Sequence, residues 1–276
     1  MIATVVLRLA GPMQAWSRQA RSHGGGGRRP TQDHPTKTGV VGLVANALGR
    51  DRADDITDLA ALTFAVRADR KGTPQVDYHT AGSGAFPLLP AELLTNPGFA
   101  RAAGNLPPGT VPTRETVGGQ YGAPSRVRAG KPHPTAPTTG RPTVLTVDQY
   151  LADAAFTAAL TGPADTVRSV ADALERPARQ LHLGRSAYPT TGQLLLAVTS
   201  HTDPVQALTA APPTNRHDPG PLTVWSQTLP GPTTPDQPLN FATRVVGSRQ
   251  EGSTTITPPA AADHIDFFAA PGQEMS

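Results

Sequence analysis

The sequence predicts an α+β protein built on a βαββαβ, ferredoxin-like (RRM-like) sheet, with a basic insertion between its two halves and a loop-rich closing region. Three observations point there. A strand-like alternation at Val5, Leu7 and Leu9 runs into a helix-like spacing at Val40, Leu43, Val44, Ala47 and Leu48. The same strand-then-helix succession returns after residue 143. The two stretches outside these rounds, 81–142 and 202–276, are rich in proline and do not continue the pattern.

Each element has a local reason. The first helix ends where Gly49 stands, because glycine readily takes the left-handed conformation that closes a helix. Leu62-Thr63-Phe64-Ala65-Val66-Arg67 reads as the second strand, with Val76-Asp77-Tyr78-His79 as its expected partner. Thr143 to Val147 opens the second round. The segment from Tyr150 to Leu160 fits a helix by its alanines and a strand by its Tyr150, Ala152, Ala154, Phe156 alternation, and is read as strand. Val167, Val170, Ala171 and Leu174 follow at helical spacing, and Leu194 to Val198 supplies the last strand. Val224-Trp225 and Phe241 to Val246 suggest short strands near the end.

Composition narrows the function. With 276 residues the chain can bury a proper core, and with no cysteine it has neither disulfides nor thiolate metal sites. No apolar run approaches the ~20 residues of a membrane helix, and the start lacks a secretory pattern, so a soluble cytoplasmic protein is expected. The charge is unevenly spread. Arg8, Arg18, Arg21, Arg28, Arg29, Lys37 and Arg50 face one acid, Asp33, in the first fifty residues, against a net charge of +3 for the whole chain. Residues 101–142 hold six Lys or Arg and only Glu115, whereas 202–276 is net negative. Such concentrated positive charge implies a polyanionic partner.

A candidate phosphate site sits where the basic loop meets the first helix. Free N–H groups and the positive end of the helix dipole fall near Thr36, Lys37 and Thr38, with Arg28 and Arg29 just ahead. The plain alternative is a capped helix with solvated charges. A P-loop is excluded by order, since Gly39 follows Lys37-Thr38 instead of preceding it. The eight histidines show no metal-binding spacing and no nucleophile elbow is present, so no metal, cofactor or catalytic residue is assigned.

Several segments together carry a family resemblance. They are Leu7-Arg8-Leu9-Ala10-Gly11-Pro12-Met13-Gln14-Ala15-Trp16, Arg29-Pro30-Thr31, Pro35-Thr36-Lys37-Thr38-Gly39, Phe64 to Asp69, Asp77-Tyr78-His79-Thr80, Tyr150 to Phe156, and Leu183-Gly184-Arg185-Ser186. In this order the chain resembles the CasD family of CRISPR-associated proteins, over roughly its first two hundred residues. The resemblance implies a palm in two halves, 1–80 and 143–201, with 81–142 as an inserted thumb that grips RNA and 202–276 as a loop-rich C-terminal region. It implies a non-catalytic RNA-binding subunit of type I-E Cascade that caps the 5′ handle of crRNA in antiviral defence. The CasC backbone subunit, the CasA large subunit, the other Cascade subunits and target DNA would be its partners.

Under that resemblance Gln14 reads a base edge and Trp16 stacks on a base, the alternative for Trp16 being packing against the helix. His79 contacts RNA at the base of the thumb. Arg185 and Ser186 hold a second handle phosphate, unless Arg185 pairs with an acid, and Arg114 is a thumb contact. A competing enzymatic reading is a metal-independent endoribonuclease of CRISPR repeat RNA recruiting Lys37, Tyr121, His23 and His133.

Overall fold

The structure is a computed structural model that describes residues 1–17, 28–81, 105–109, 144–214, 220–243 and 245–258. Its contacts separate two compact units, one of Met1–Ala20, Pro30–Gln75 and Tyr150–Ser276, the other of Arg21–Arg29 and Val76–Gln149.

In the first unit β1 (Ile2–Ala10) lies antiparallel to β7 (Ala155–Pro163), from Ile2 opposite Pro163 to Ala10 opposite Ala155. On the other side of β7 runs β4 (Thr63–Arg70). The sheet is completed by β8 (Leu195–Thr199) on β1, β9 (Leu222–Ser226) on β4, and β12 (Gly252–Ile256) on β9, giving the order β12-β9-β4-β7-β1-β8. Every residue of β7 from Ala155 to Thr161 is buried, as a strand covered on both faces requires.

One face packs on α1 (Lys37–Ala47) and α3 (Ala164–Glu175) through Val5, Leu7, Leu9, Val40, Val44, Val167 and Val170. Both helices fall where their spacing predicts. Leu48 caps α1 and Gly49 follows at φ +75°, the left-handed exit expected of it. A short helix, α2 (Thr57–Ala60), precedes β4. The second face of the sheet is also covered. There α4 (Pro204–Ala210) sets Leu208 on Ala65, Ala159 and Val224. Arg67, fully buried on β4, pairs with Asp69 at 2.5 Å and donates to the carbonyls of Leu208, Ala211 and Pro212 at the end of α4.

Two expectations are corrected. The alternating segment from Tyr150 is not one strand: β6 (Val144–Ala152) stops before Asp153, which takes φ +53° and donates its N–H to the Pro12 carbonyl at 3.0 Å, and β7 starts at Ala155. The last residues of β6 pair instead with β2 (Met13–Gln14). Nor does Val76 to His79 pair with the second strand. It belongs to β5 (Thr73–Ala81), which pairs with β6, while β4 is already held between β7 and β9. Val76 is 41% exposed and Tyr78 66%, so β5 lacks the apolar faces that a place in the central sheet demands.

Toward the C-terminus, β10 (Thr233–Asn240) and β11 (Val245–Gln250) form a hairpin. Phe241 to Thr243 lie in its turn, so only the end of the Phe241–Val246 segment is strand, whereas Val224-Trp225 is strand as expected. In the second unit β3 (Arg28–Arg29) runs parallel to β6 at Val147 and Asp148.

Candidate nucleic-acid interface

The start of α1, the expected phosphate cradle, is filled by the protein itself. Asp236 of β10 accepts from the Lys37 N–H at 2.6 Å and from the Thr38 N–H at 2.9 Å, and the Thr36 hydroxyl accepts from the Gly39 N–H at 3.2 Å. These are the donors a bound anion would have used. Arg249 closes the other side of Asp236 at 2.7 Å and also meets Glu251. Beyond it Glu251 lies 3.3 Å from His34, whose other ring nitrogen is 2.6 Å from Asp33 and whose ring stacks on Trp225 at 4.3 Å.

Lys37 belongs to this interior. It is 1% exposed, and its Nζ donates to Gln237 Oε1 at 3.0 Å. Burial and the neighbouring Arg249 lower its pKa to about 8 against the opposing pull of Asp236. The expectation that Thr36 and Lys37 hold an RNA phosphate is therefore corrected: both are buried, and an internal carboxylate occupies the position.

Gln14 and Trp16 are corrected as well. Gln14 is fully buried, donates to the carbonyls of Leu9 (2.9 Å) and Ala154 (2.7 Å), and accepts from the indole N–H of Trp16 at 3.1 Å. Trp16, also fully buried, packs on α1 so closely that a Cβ at Gly39 would lie 2.7 Å from its ring. Neither side chain reaches a base. The motif around Leu183 shares this seam, since Ala15 N–H bonds to the Leu183 carbonyl at 3.1 Å and a Cβ on Gly184 would lie 1.7 Å from the Ala15 carbonyl oxygen. The two stretches that stand out most in the sequence pack on each other as core.

On the outer side of α1 the structure opens a groove of about 710 Å³. Gly39, Gly42, Ala45 and Asn46 contribute its small-residue side, and Phe241 stands across from Gly42, 3.7 Å from where a Cβ would be. Arg50, Asp51, Arg52, Arg179, His182 and Ser186 also line it, so one acid stands among the basic groups. Small side chains let a polymer backbone approach the helix closely.

The basic groups differ in availability. Arg50 is held by both carboxylate oxygens of Asp58 at 2.5 Å, and that bond raises its pKa further. Arg179 donates to the Arg50 carbonyl and to Asp51, both at 2.7 Å. Arg52 is exposed and has no partner among the described residues, and the Nδ1 of His182 and the hydroxyl of Thr38 are buried atoms likewise without one. The arrangement can present the Arg52 guanidinium and the Ser186 hydroxyl to a phosphodiester, with an aromatic ring opposite.

Of the predicted residues, Thr38 and Ser186 meet in this groove, although 148 positions separate them in the chain. Arg185 stays beside it, half-buried against Tyr188, with its guanidinium 3.3 Å from the phenol oxygen. Arg29 and His79 lie in the second unit, around Asp148 at 3.3 and 3.9 Å, with His79 also 2.9 Å from Asp77. Arg28 is described only as backbone of β3, and Arg114, His23, Tyr121 and His133 fall outside the described residues. Sequence reasoning missed Arg52, Arg179, His182 and Phe241 as a set. The available signal was the small and polar positions Gly42 and Asn46, on the side of the helix opposite Val40 and Val44. Among the described residues there is no metal-holding cluster of His, Asp or Glu, and no helix long and apolar enough to cross a membrane.

Residues 4–251 match the family model described as "CRISPR-associated protein (Cas_Cas5)". The chain belongs to the CRISPR-associated Cas5 family. It is similar to the CRISPR system Cascade subunit CasD of Escherichia coli (strain K12), with 31% identity over 223 residues, covering 75% of this chain and 76% of that one. Among solved structures it resembles a "Crystal structure of Cas protein" at a TM-score of 0.62 and 26% identity, over 94% of this chain and 98% of the other. It also resembles a chain of a "CRISPR RNA-guided surveillance complex" at 0.63 and 31% identity, over 93% and 91%. The matched span of this Cas5-family chain takes in α1, the groove and the Asp236–Arg249–Glu251 network.

Proposed function

We propose that this Cas5-family chain is a subunit of a type I-E Cascade complex that caps and holds the 5′ handle of crRNA in the groove beside α1, without cutting it. One observation carries the reading. In a chain 31% identical to a Cascade subunit, an exposed Arg52 with no partner among the described residues stands with His182 and Ser186 in a groove whose helix side is made of glycines and a small amide. Phosphate contacts supply affinity, and close approach of the strand to backbone sets its register. In this reading the CasC and CasA subunits adjoin it, target DNA reaches it only in the assembled complex, and it works in the cytoplasm.

The first unit is read as a ferredoxin-like palm. The order β4-β7-β1-β8, which is second, third, first, fourth in the βαββαβ count, supports this, as does the placement of α1 and α3 on one face. Residues 81–142 remain the proposed thumb, carrying Arg114, with His79 at its base. Holding rather than cleaving is favoured because Lys37, the amine that cleavage would recruit, is 1% exposed and bonded to Gln237.

Titrating labelled handle RNA against the protein at several salt concentrations tests the groove. Replacing Arg52 by Ala lowers affinity about tenfold and reduces the slope of log K against log salt by about 0.7 to 1, the share of one phosphate contact on a single strand. An unchanged slope removes Arg52 from the interface, and specific cutting of repeat RNA in EDTA overturns the non-catalytic reading.

A further inference from the structure

A second surface of the same unit has the chemistry of a protein-docking edge. Strand β8 closes one end of the six-stranded sheet and pairs only with β1, so among the described residues its outer edge has no strand beside it. Its sequence, Leu195-Leu196-Ala197-Val198-Thr199, has no charge and no proline. Leu196 is 43% and Val198 45% exposed. Edge strands that stay in water are normally blunted by charge, proline or a covering element, because a bare apolar edge recruits another strand. The pairing with β1 shifts register between Val6 and Leu7, and Leu196 is the residue left over there.

The same edge borders a cavity of about 520 Å³. Its walls are mostly apolar, with Val6, Leu196, Ala207 and Pro212 among them, and it contains the side chain of Arg8. The Arg8 side chain has no partner among the described residues, and its Nε is buried without one, as is the Thr199 hydroxyl at the rim. A guanidinium that lines a mostly apolar cavity without an acid beside it favours an anion, and that anion has to fit a hydrophobic wall. An RNA backbone is a poor match, because neutralising successive phosphates takes several cations and this cavity has one.

We infer that the β8 edge and the Arg8 cavity together form the docking surface for an extended segment of a neighbouring protein subunit, one that adds a strand to β8 and places a carboxylate on Arg8 beside an apolar side chain. The main-chain ladder provides the attachment, and the carboxylate with its apolar neighbour provides the selectivity. The inference deepens the reading of this chain as a subunit of a larger complex and rests on it.

The test uses the full chain co-expressed with the other subunits and crRNA of its complex, carrying a photo-crosslinking phenylalanine at 196 or, as control, at 52. A protein adduct at 196 and an RNA adduct at 52 are expected. Replacing Leu196 and Val198 together by Asp lowers the co-purified partner at least tenfold while the isolated chain keeps its affinity for handle RNA, and Arg8→Met lowers partner retention about tenfold. Both positions of the double variant are exposed, and its melting temperature checks that the fold is kept. An adduct at 196 to RNA, or only to residues 259–276 of this same chain, overturns the docking surface, and retention unaffected by Arg8→Met removes the carboxylate from it. Wild-type complex that forms with RNA but gives no protein adduct at 196 overturns the inference and leaves the RNA-holding function standing. Wild-type chain that brings neither RNA nor partners overturns both.

Discussion

At its N-terminal end α1 points its free N–H groups at Asp236, which Arg249 holds in place, whereas along its outer flank Gly42 and Asn46 share a groove with His182 and with Arg52, which keeps unused donors. In the sequence the first location has the stronger signature: a capping threonine, a lysine, two hydroxyls and a helix start. In the fold it is the quieter one. A helix terminus attracts whatever anion is nearest, and here the chain supplies its own from β10. Availability, not charge alone, separates the two.

The largest test of that difference is Asp236→Ala, which strips the cap from Lys37 and Thr38 and leaves Arg249 with one acid fewer. Loss of about 3–5 kcal/mol in urea unfolding is expected, the range for breaking a buried ion pair. Inorganic phosphate then stabilises the variant more than the wild type, because the vacated donors become a phosphate site. Equal stabilisation of both proteins would mean that the helix start was never the anion position.

Lys37→Ala comes next, with about 1–3 kcal/mol lost through its packing and its bond to Gln237. The salt slope of RNA binding stays as in the wild type. A reduced slope would return Lys37 to the interface and blur the contrast with Arg52, whose removal costs about 1.4 kcal/mol of binding and lowers the slope.

The smallest effect is in pH. Burial opposes the charged form of Glu251, but the bonds to His34 and Arg249 prevail and lower its pKa from 4.5 to about 2. Its contribution is therefore full above 4.5 and lost as pH falls toward 2. Burial likewise opposes charge on His34, yet the bonds to Asp33 and Glu251 raise its pKa above 6.5. That contribution is full below 6.5 and lost as pH rises through the raised value. Both contributions are complete between about pH 4.5 and 6.5, so melting temperature has its maximum there as far as this network decides it. His34→Gln flattens the alkaline side of that curve, and an unaltered alkaline side would show that His34 is neutral in the fold.

Much of the fold was legible. Helical spacing located α1 and α3, alternation located β1, and the apolar run after Leu194 located β8. The pairing of β5 was misread because two strands near in sequence look like a hairpin, and only the burial of β4 on both edges excludes it. The site was less legible. Gln14 and Trp16 looked like reading heads because amides and indoles serve both cores and nucleic acids, and their mutual hydrogen bond cannot be seen in a linear string.

By itself the sequence determined the family, the α+β class and the placement of positive charge near α1, since motif order, periodicity and composition are local properties of the chain. Tertiary structure alone decided which charges are free. Asp236 reaches Lys37, and Arg179 and His182 reach the flank of α1, only after the sheet has brought distant segments together. A charged group is open to a ligand when no oppositely charged group of the same molecule lies within a few ångströms, and that distance exists only in the folded chain.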